Sequence, residues 1–182
     1  MRFEMFFIRT LYWFLFQLTN LDSRYILLQT FARDSRNVII ISMKLKIQRL
    51  NKDATMPSYA HPGDVGMDLY SMEDYVLKPG ERKIFFVGFA MEFPVGYAAI
   101  VKDKSSLPKN GGIHTMGGVY DAGYRGEYNV NLINLGNKDY KIEKGHKIAQ
   151  LVLFPVEIAT VEEVSDLSET SRGHGRFGST GK

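Results

Sequence analysis

The amino-acid sequence predicts an all-β fold, a distorted jelly roll or barrel of short strands that is followed by a mobile C-terminal arm. From Met43 onward, turn signals recur at short intervals, among them Pro62-Gly63, Pro79-Gly80 and Lys144-Gly145. The runs between them are rich in β-branched and aromatic residues, and no long segment has the 3.6-residue period of an amphipathic helix. Short strands at this turn spacing are typical of closed barrels and two-layer sandwiches.

Five runs are the clearest strand candidates. The first alternates apolar and polar residues, the next two are largely apolar and β-branched or aromatic, the fourth alternates in part, and the last is almost continuously apolar. In chain order they are residues 45–47, 83–87, 97–101, 128–133 and 148–154. We expect these runs to form the framework of the domain.

Residues 1–42 differ in composition from the rest of the chain. They are rich in large apolar and aromatic side chains, but the longest uninterrupted apolar stretch, residues 11–16, is far shorter than the roughly 20 residues of a membrane-spanning helix. We therefore predict no stable membrane insertion and a cytoplasmic location. Residues 1–42 are interpreted as an extension outside the domain, which an upstream start artefact would explain; an amphipathic membrane-surface anchor is the alternative.

The remainder divides into a β domain and an arm. A chain of 182 residues has room for one ordinary domain with a real core, and a second would be hard to fit. We assign residues 43–164 to this domain. Residues 165–182 have no apolar periodicity, and their composition predicts a mobile arm.

Composition excludes several kinds of chemistry. The chain has no cysteine, which rules out disulfides, thiolate nucleophiles and cysteine-ligated metals. Its four histidines are scattered, so a zinc site is not expected. The net charge is +3, but residues 43–182 hold 18 Lys and Arg against 17 Asp and Glu. The basic balance is therefore weak evidence for a polyanion-binding face, and no nucleic-acid partner is expected.

Five polar stretches stand at predicted turns. In the first, residues 63–71, Asp68 leads into apolar residues. An Asp in such a position often hydrogen-bonds nearby backbone amides, and for this stretch alone that turn chemistry is the favoured interpretation.

In the second stretch, residues 102–107, Lys104 stands beside Ser105 and Ser106 just after a predicted strand. A cation next to hydroxyl groups suits a phosphate, although the same residues would also fit a solvated loop. There is no general base close in sequence and no Gly-x-Ser-x-Gly turn, so neither serine is interpreted as a nucleophile.

In the third stretch, residues 117–127, glycines bracket a predicted tight hairpin from whose turn Asp121 and Tyr124 project. Glycines here let a flat ligand approach the backbone, although a turn Asp is more often a local cap than a base. The fourth stretch, residues 147–151, places Gln150 in an otherwise apolar strand, where its amide needs a backbone partner or a ligand shell.

The fifth stretch is the arm itself. Glycine, serine and threonine supply backbone and hydroxyl donors there, Arg172 supplies a fork for phosphate, and Phe177 supplies a stacking face. The stretch is not a Walker A loop, because Lys182 follows the hydroxyl residues and no strand and helix surround it.

In order, spacing and turn placement, the five stretches resemble the five motifs of the trimeric dUTPases, over essentially residues 43–182. The resemblance implies hydrolysis of dUTP to dUMP and pyrophosphate, which limits uracil in DNA and supplies dUMP. It implies Mg²⁺ as cofactor and a homotrimer with shared active sites. It also assigns the catalytic role to Asp121, which would position and deprotonate the water that attacks the α-phosphorus.

The resemblance implies how the base and sugar are recognised. Backbone groups near Gly118, with Val119 and Tyr120 beside them, and across the turn near Asn129 would bind uracil. Tyr124 would pack against the deoxyribose and leave no space for a 2′-hydroxyl. Cytosine would be rejected, because its 4-amino group offers a donor where the backbone expects an acceptor.

The triphosphate residues follow from the same resemblance. Lys104, Ser105 and Ser106 would hold the phosphates. Asp68 and Gln150 would contact the water shell of a Mg²⁺ that is held mainly by the three phosphates.

The arm would act as a lid in this resemblance. Arg172 would meet the γ-phosphate and Phe177 would stack over uracil, while the segment around Gly178 and Ser179 would wrap the phosphate chain. Ordering the arm over the substrate would exclude bulk water.

Three departures from the family pattern and two rival functions stay open. Lys104 stands where many members have Arg, Tyr120 where a branched aliphatic is usual, and Arg176 where Gly is common. A dCTP deaminase would need a Glu on the return strand of the hairpin, where this chain has Asn131. A nucleotide-binding module without catalysis is the second rival.

Overall fold

The computed structural model describes residues 43–176 of the chain. This part contains eleven strands and one short helix. In chain order they are β1 (Lys46–Arg49), β2 (Gly66–Tyr70), β3 (Tyr75–Leu77), β4 (Arg82–Phe86), β5 (Phe89–Glu92), β6 (Tyr97–Lys102), α1 (Ser106–Gly111), β7 (Ile113–Thr115), β8 (Val119–Asp121), β9 (Asn129–Asn134), β10 (Tyr140–Ile142) and β11 (Lys147–Pro155).

The strands form a distorted jelly roll of four small antiparallel sheets. Their strand orders are β2-β11-β6-β8, β4-β9-β7, β1-β5 and β10-β3. The predicted all-β class is confirmed, and each of the five predicted runs forms a strand with ends shifted by at most a few residues. Helix α1 was not predicted, because six residues are too few to show a helical period.

Strand β11 is the centre of the largest sheet, since it pairs with β2 on one side and with β6 on the other. Its nearly continuous apolar sequence fits this position, and Ile148, Ala149 and Leu151 are buried. Strand β9 instead alternates, and sends Val130 and Leu132 into the core. The largest fully buried side chains, which include Tyr128, Phe85 and Phe89, pack with these residues into one cluster.

Beyond β11, residues 156–176 contain no strand or helix and are exposed to solvent. Among residues 43–176, no helix is long and apolar enough to cross a membrane.

Candidate active site

Asp68 lies in the middle of β2 and is buried, so its predicted placement in a turn is wrong. The Nζ of Lys104 lies 2.8 Å from its Oδ1, and the Nζ of Lys147 lies 2.6 Å from its Oδ2. Burial by itself raises the pKa of Asp68, but hydrogen bonds and charges from the two lysines outweigh burial and lower the pKa below its ordinary value. Asp68 is therefore an ionised carboxylate held between two cations.

Gln150 lies directly opposite Asp68 in the pairing of β11 with β2, so the two side chains share one face of the sheet. The Gln150 side chain lies over Gly66, where a Cβ would stand 2.2 Å from Oε1 of Gln150. Its Nε2 donates to the backbone oxygen of Asp103 at 2.8 Å. The Gln150 amide was predicted to need either a backbone partner or a ligand shell, and in the structure its Nε2 has a backbone partner.

The carboxylate of Asp103 ties down the segment that leads into the Lys104 loop. Its Oδ1 accepts hydrogen bonds from both the backbone N–H and the hydroxyl of Thr115, each at 2.7 Å. Its Oδ2 lies 2.5 Å from Nδ1 of His114. Burial opposes ionisation of Asp103, but these contacts outweigh burial and lower its pKa. The loop therefore starts from a fixed point on β7.

The three predicted phosphate residues follow β6 in a row. Lys104 and Ser105 lie between β6 and α1, and Ser106 is the first residue of α1. Both serine side chains are exposed. Lys104 and Ser106 line an open cavity of about 380 Å³, whose other walls come from Leu107 of α1, from β10 and β11, and from the turn between these strands. The position suits an anionic ligand that is partly open to solvent.

The segment from Gly118 to Asp121 is bound to β6 and does not pair with β9. The backbone oxygen of Gly118 accepts from Val101 N–H at 2.7 Å, and a Cβ at Gly118 would stand 2.8 Å from Cβ of Val101. Asp121 is the last residue of β8, and Tyr124 lies in the loop that follows. The predicted tight hairpin is wrong in this respect, because the backbone hydrogen bonds of β8 go to β6.

The peptide groups of Asn129 face an edge that β7 leaves open. Backbone groups along an antiparallel strand point alternately to its two sides. The Tyr128 oxygen accepts from Val87 N–H on the β4 side, and the Asn131 oxygen accepts from Met116 N–H on the opposite side. The N–H and C=O of Asn129 therefore point to the same side as those of Asn131. Strand β7 has already ended there.

The side chain of Tyr120 fills this edge. Its hydroxyl accepts a hydrogen bond from Asn129 N–H at 3.0 Å and donates one to the Asn129 oxygen at 2.8 Å. The Tyr120 ring stacks on the Tyr128 ring, with centroids 4.1 Å apart and planes 19° apart. Burial raises the pKa of Tyr120, so the hydroxyl keeps the proton that it donates. The Tyr120 hydroxyl thus satisfies both the N–H and the C=O of Asn129.

Tyr124 stands at the exposed rim of this slot, whereas Val119 and Asp121 flank Tyr120 in β8, so their side chains point to the opposite face of the strand. All three side chains are exposed to solvent. The Tyr124 ring centroid lies 5.5 Å from that of Tyr120, and its hydroxyl donates to the Glu127 oxygen at 3.1 Å. An aromatic face and a peptide edge therefore lie around one slot, and the exposed carboxylate belongs to the next residue of β8.

Within one chain, most of the described site residues fall into two groups, which lie near opposite ends of β6. Asp121 pairs with Ala98 at one end of β6, whereas Gln150 pairs with Lys102 at the other end, close to Lys104. Ala98 and Lys102 are four residue steps apart along the strand, a distance of about 13 Å. The structure brings Asp68, Lys104 and Gln150 together, and it brings Tyr120 to Asn129. It does not bring Asp121 to the phosphate residues of the same chain.

Arg172 is exposed, and its Nε donates to the Gly175 oxygen at 3.0 Å, within a turn of the arm itself. In the described chain it is not joined to the other predicted site residues by any recorded hydrogen bond or ion pair. Phe177, Gly178 and Ser179, which were predicted to stack over the base and wrap the phosphates, lie outside the described residues.

Two residues of the site were missed by sequence reasoning. Lys147 is the first residue of the fourth stretch, three residues before Gln150. Its positive charge was the signal in the sequence that could have identified it as a second phosphate-binding cation. Tyr128 forms the floor on which Tyr120 stacks, and nothing in the sequence distinguishes it from other core aromatics. Burial raises the pKa of Tyr128 to about 12, and its buried hydroxyl has no protein hydrogen-bond partner among residues 43–176.

Between Met43 and Arg176, no three or more His, Asp or Glu side chains are grouped so that they could hold a metal ion by themselves.

Comparisons with known proteins agree on one family. The dUTPase family model matches residues 52–181. The deoxyuridine 5'-triphosphate nucleotidohydrolase of Clostridium tetani is 46% identical over 140 residues, which cover 76% of this chain and 97% of that protein. The enzyme of the same name from Nautilia profundicola is 46% identical over 142 residues, covering 77% of this chain and all of that one.

Solved structures give the same result. A mutant dUTPase of Staphylococcus bacteriophage 80alpha with dUpNHpp is 30% identical, with a TM-score of 0.69 over 76% of this chain and 99% of that one. A mutant dUTPase from phage phi11 of S. aureus, described with a coordinated structural Mg(II) ion, is 26% identical, with a TM-score of 0.64 over 68% and 97% of the two chains.

Proposed function

Since the chain belongs to the dUTPase family and is a dUTP diphosphatase, we propose that it hydrolyses dUTP through a water held by Asp121. The observation that carries this proposal is the open peptide edge of Asn129 beside β8. Among the described residues, the N–H and C=O of Asn129 pair with no strand backbone and contact the Tyr120 hydroxyl instead, and Asn129 lies eight residues after a solvent-exposed carboxylate.

Uracil fits the Asn129 edge by its hydrogen-bonding pattern. Its O4 is an acceptor for the Asn129 N–H, and its N3–H is a donor to the Asn129 oxygen. Cytosine presents the reverse pattern, an amino donor and an N3 acceptor, so both contacts would be lost. An unmatched buried polar group costs about 1–3 kcal/mol, which is enough for useful discrimination.

Tyr124 selects the sugar. Its exposed ring at the rim of the slot would pack against the deoxyribose and exclude a 2′-hydroxyl. Gly118 and Val119 would complete the wall beside the base, because Gly118 leaves no side chain between the ligand and β6.

The phosphates would bind at the cationic end of the sheet. Lys104 and Lys147 supply charge, and Ser105 and Ser106 supply exposed hydroxyl donors. Lys104 is bound to Asp68 in the free chain, so triphosphate binding would draw its Nζ from the carboxylate to a phosphate oxygen.

The residues at this end also fit Mg²⁺. The ionised oxygens of Asp68 and the amide oxygen of Gln150 are hard donors, but too few to hold the ion alone, so the phosphates would supply most of its ligands. Asp68 and Gln150 would contact its water shell. When bound, the ion supplies positive charge beside the phosphate oxygens.

In the proposed reaction, Asp121 accepts a proton from the water as the water oxygen bonds to the α-phosphorus. The bond from the α-phosphorus to the α–β bridging oxygen breaks, and pyrophosphate leaves with that oxygen. Holding the water opposite the leaving group gives the in-line geometry that such a displacement needs.

The proposed assembly is a homotrimer with three shared sites. Support comes from the separation of about 13 Å along β6 between the ends that carry Asp121 and Lys104. A site that needs both groups is more easily completed by two neighbouring chains, with the arm of the third chain closing it through Arg172, Phe177, Gly178 and Ser179. The proposed location of the enzyme is the cytoplasm, where free nucleotides are substrates.

Product analysis with the purified full chain tests this function. Pyrophosphate should be released from dUTP, and turnover of UTP and dCTP should be at least about tenfold less efficient. Ammonia released from dCTP would instead identify a deaminase. Binding of dUTP without pyrophosphate release would identify a nucleotide-binding module.

A further inference from the structure

Tyr120 occupies the place at which the proposed function puts uracil. One phenolic hydroxyl acts as acceptor for Asn129 N–H and as donor to the Asn129 oxygen. Uracil would make the same two contacts with O4 and N3–H. The flat Tyr120 ring also lies 4.1 Å from the Tyr128 ring, a spacing at which aromatic groups stack. The base slot of the free chain is thus filled by the chain itself.

The two occupants exclude each other. The Asn129 oxygen and N–H lie at one edge, and the Tyr120 hydroxyl lies within hydrogen-bond distance of both. A base on this edge must therefore displace the hydroxyl. We propose that Tyr120 is a further affinity-determining residue of this enzyme, which occupies the uracil slot in the free protein and must swing away before a deoxyuridine nucleotide can bind. The inference rests on the proposed binding of uracil to Asn129.

The closed arrangement, with Tyr120 in the slot, can compete with a bound base, but it does not satisfy every buried polar group. It satisfies the peptide edge of Asn129, yet it leaves the buried hydroxyl of Tyr128 without a protein partner among the described residues. Tyr120 is also only partly buried, in a strand of three residues that is followed by an exposed loop, so its side chain has solvent to move into. A closed population lowers the apparent affinity by the fraction of molecules that are open.

This mechanism changes affinity without changing base preference. Every nucleotide that uses the slot must displace the same side chain, so the cost of opening is common to dUTP and dCTP. The ratio of the two affinities is set by the Asn129 edge alone, and a variant that opens the slot should leave that ratio unaltered.

The test compares the full-length protein with Tyr120→Phe, which keeps the ring and removes both hydrogen bonds. The dissociation constant of dUpNHpp, measured by titration calorimetry, should fall about tenfold, and the KM for dUTP should fall while the preference for dUTP over dCTP stays the same. Tyr120→Ile removes the ring as well and should also bind more tightly. Tyr75→Phe, which removes a hydroxyl bonded to Glu81 elsewhere in the fold, is the matched control and should bind as the parent does.

The affinity of the Tyr120 variants for dUpNHpp distinguishes this proposal from a purely structural role of the Tyr120 hydroxyl. If the Tyr120 hydroxyl only fastened β8 to β9, both Tyr120 variants would melt earlier and bind dUpNHpp equally or less tightly, and that result would overturn the inference. Failure of the parent protein to release pyrophosphate from dUTP would overturn the proposed function instead, so the two failures are distinguishable.

Discussion

Lys104, the cation expected to bind phosphate, has its Nζ 2.8 Å from Oδ1 of Asp68, the carboxylate expected beside the metal. The two residues lie 36 positions apart in the chain. Asp68 is in β2, and Lys104 is in the loop that follows β6 of the same sheet. Lys147 completes the cluster from β11. The free protein therefore keeps its phosphate-binding charges in place by pairing them with one buried carboxylate.

This pairing makes part of the folding stability depend on pH. The pKa of Asp68 is lowered in the folded state, so its contribution is present above the ordinary carboxyl pKa of about 3.9 and is lost as pH falls through the lowered folded value. Asp68→Asn should lower the free energy of unfolding at pH 7 by about 1–3 kcal/mol, less than for a fully buried pair because both lysines are partly exposed. Urea unfolding should show this loss shrinking below pH 4. Asp139→Asn, at an exposed position, is the control; a loss that is constant at every pH would contradict the account.

Asp121→Asn should abolish turnover while leaving nucleotide binding nearly intact. The side chain is exposed at the end of β8, so its replacement should not disturb packing. We expect the dissociation constant of dUpNHpp to stay within about tenfold of the parent value, a difference of about 1.4 kcal/mol. Steady-state kinetics and calorimetry on the same preparation measure the two effects. An unchanged kcat would eliminate Asp121 as the base.

Deleting residues 171–182 should remove most activity with little effect on the proposed trimer or its thermal transition. The described part of this segment, residues 171–176, is exposed and adds no buried side chain to the core. Mixing the truncated chain with full-length Asp121→Asn, under conditions that exchange subunits, should restore some activity. An intact base on one chain would then meet an intact arm from another. No rescue, with mixed trimers shown to have formed, would argue against an arm that acts in trans.

A chain that starts at Met43 should be folded and as active as the full chain. The family match begins at residue 52, and the strands that carry the site all follow β1. Circular dichroism, light scattering and dUTP turnover compare the two proteins. Aggregation or a changed oligomeric state of the shorter chain would show that residues 1–42 belong to the fold.

Much of the strand framework could be predicted because its signal is local. The apolar run of β11 and the alternation of β9 each carry enough side chains to show their period. Strand β2 was missed because Gly66 and Asp68 are typical turn residues. Only the lysines that reach it from 36 and 79 positions away make a buried Asp68 favourable.

The candidate site was predictable as a set of residues but not as a geometry. Composition and order identify the motifs, whereas the pairing of β8 with β6 depends on distant backbone contacts. Tyr120 stood out only as an unusual residue before Asp121. Its contact with Asn129 could not be predicted from the sequence, because the contact depends on where β7 ends. Strand β7 stops before it reaches the Asn129 peptide and leaves that edge open to the Tyr120 side chain.

The position of the oxygen taken from water tests the central claim most directly. Hydrolysis of dUTP by the purified protein in ¹⁸O-labelled water, followed by mass spectrometry of both products, shows which phosphorus is attacked. Attack of the Asp121-bound water on the α-phosphorus predicts one labelled oxygen in dUMP and none in pyrophosphate. Label in pyrophosphate with unlabelled dUMP would contradict it.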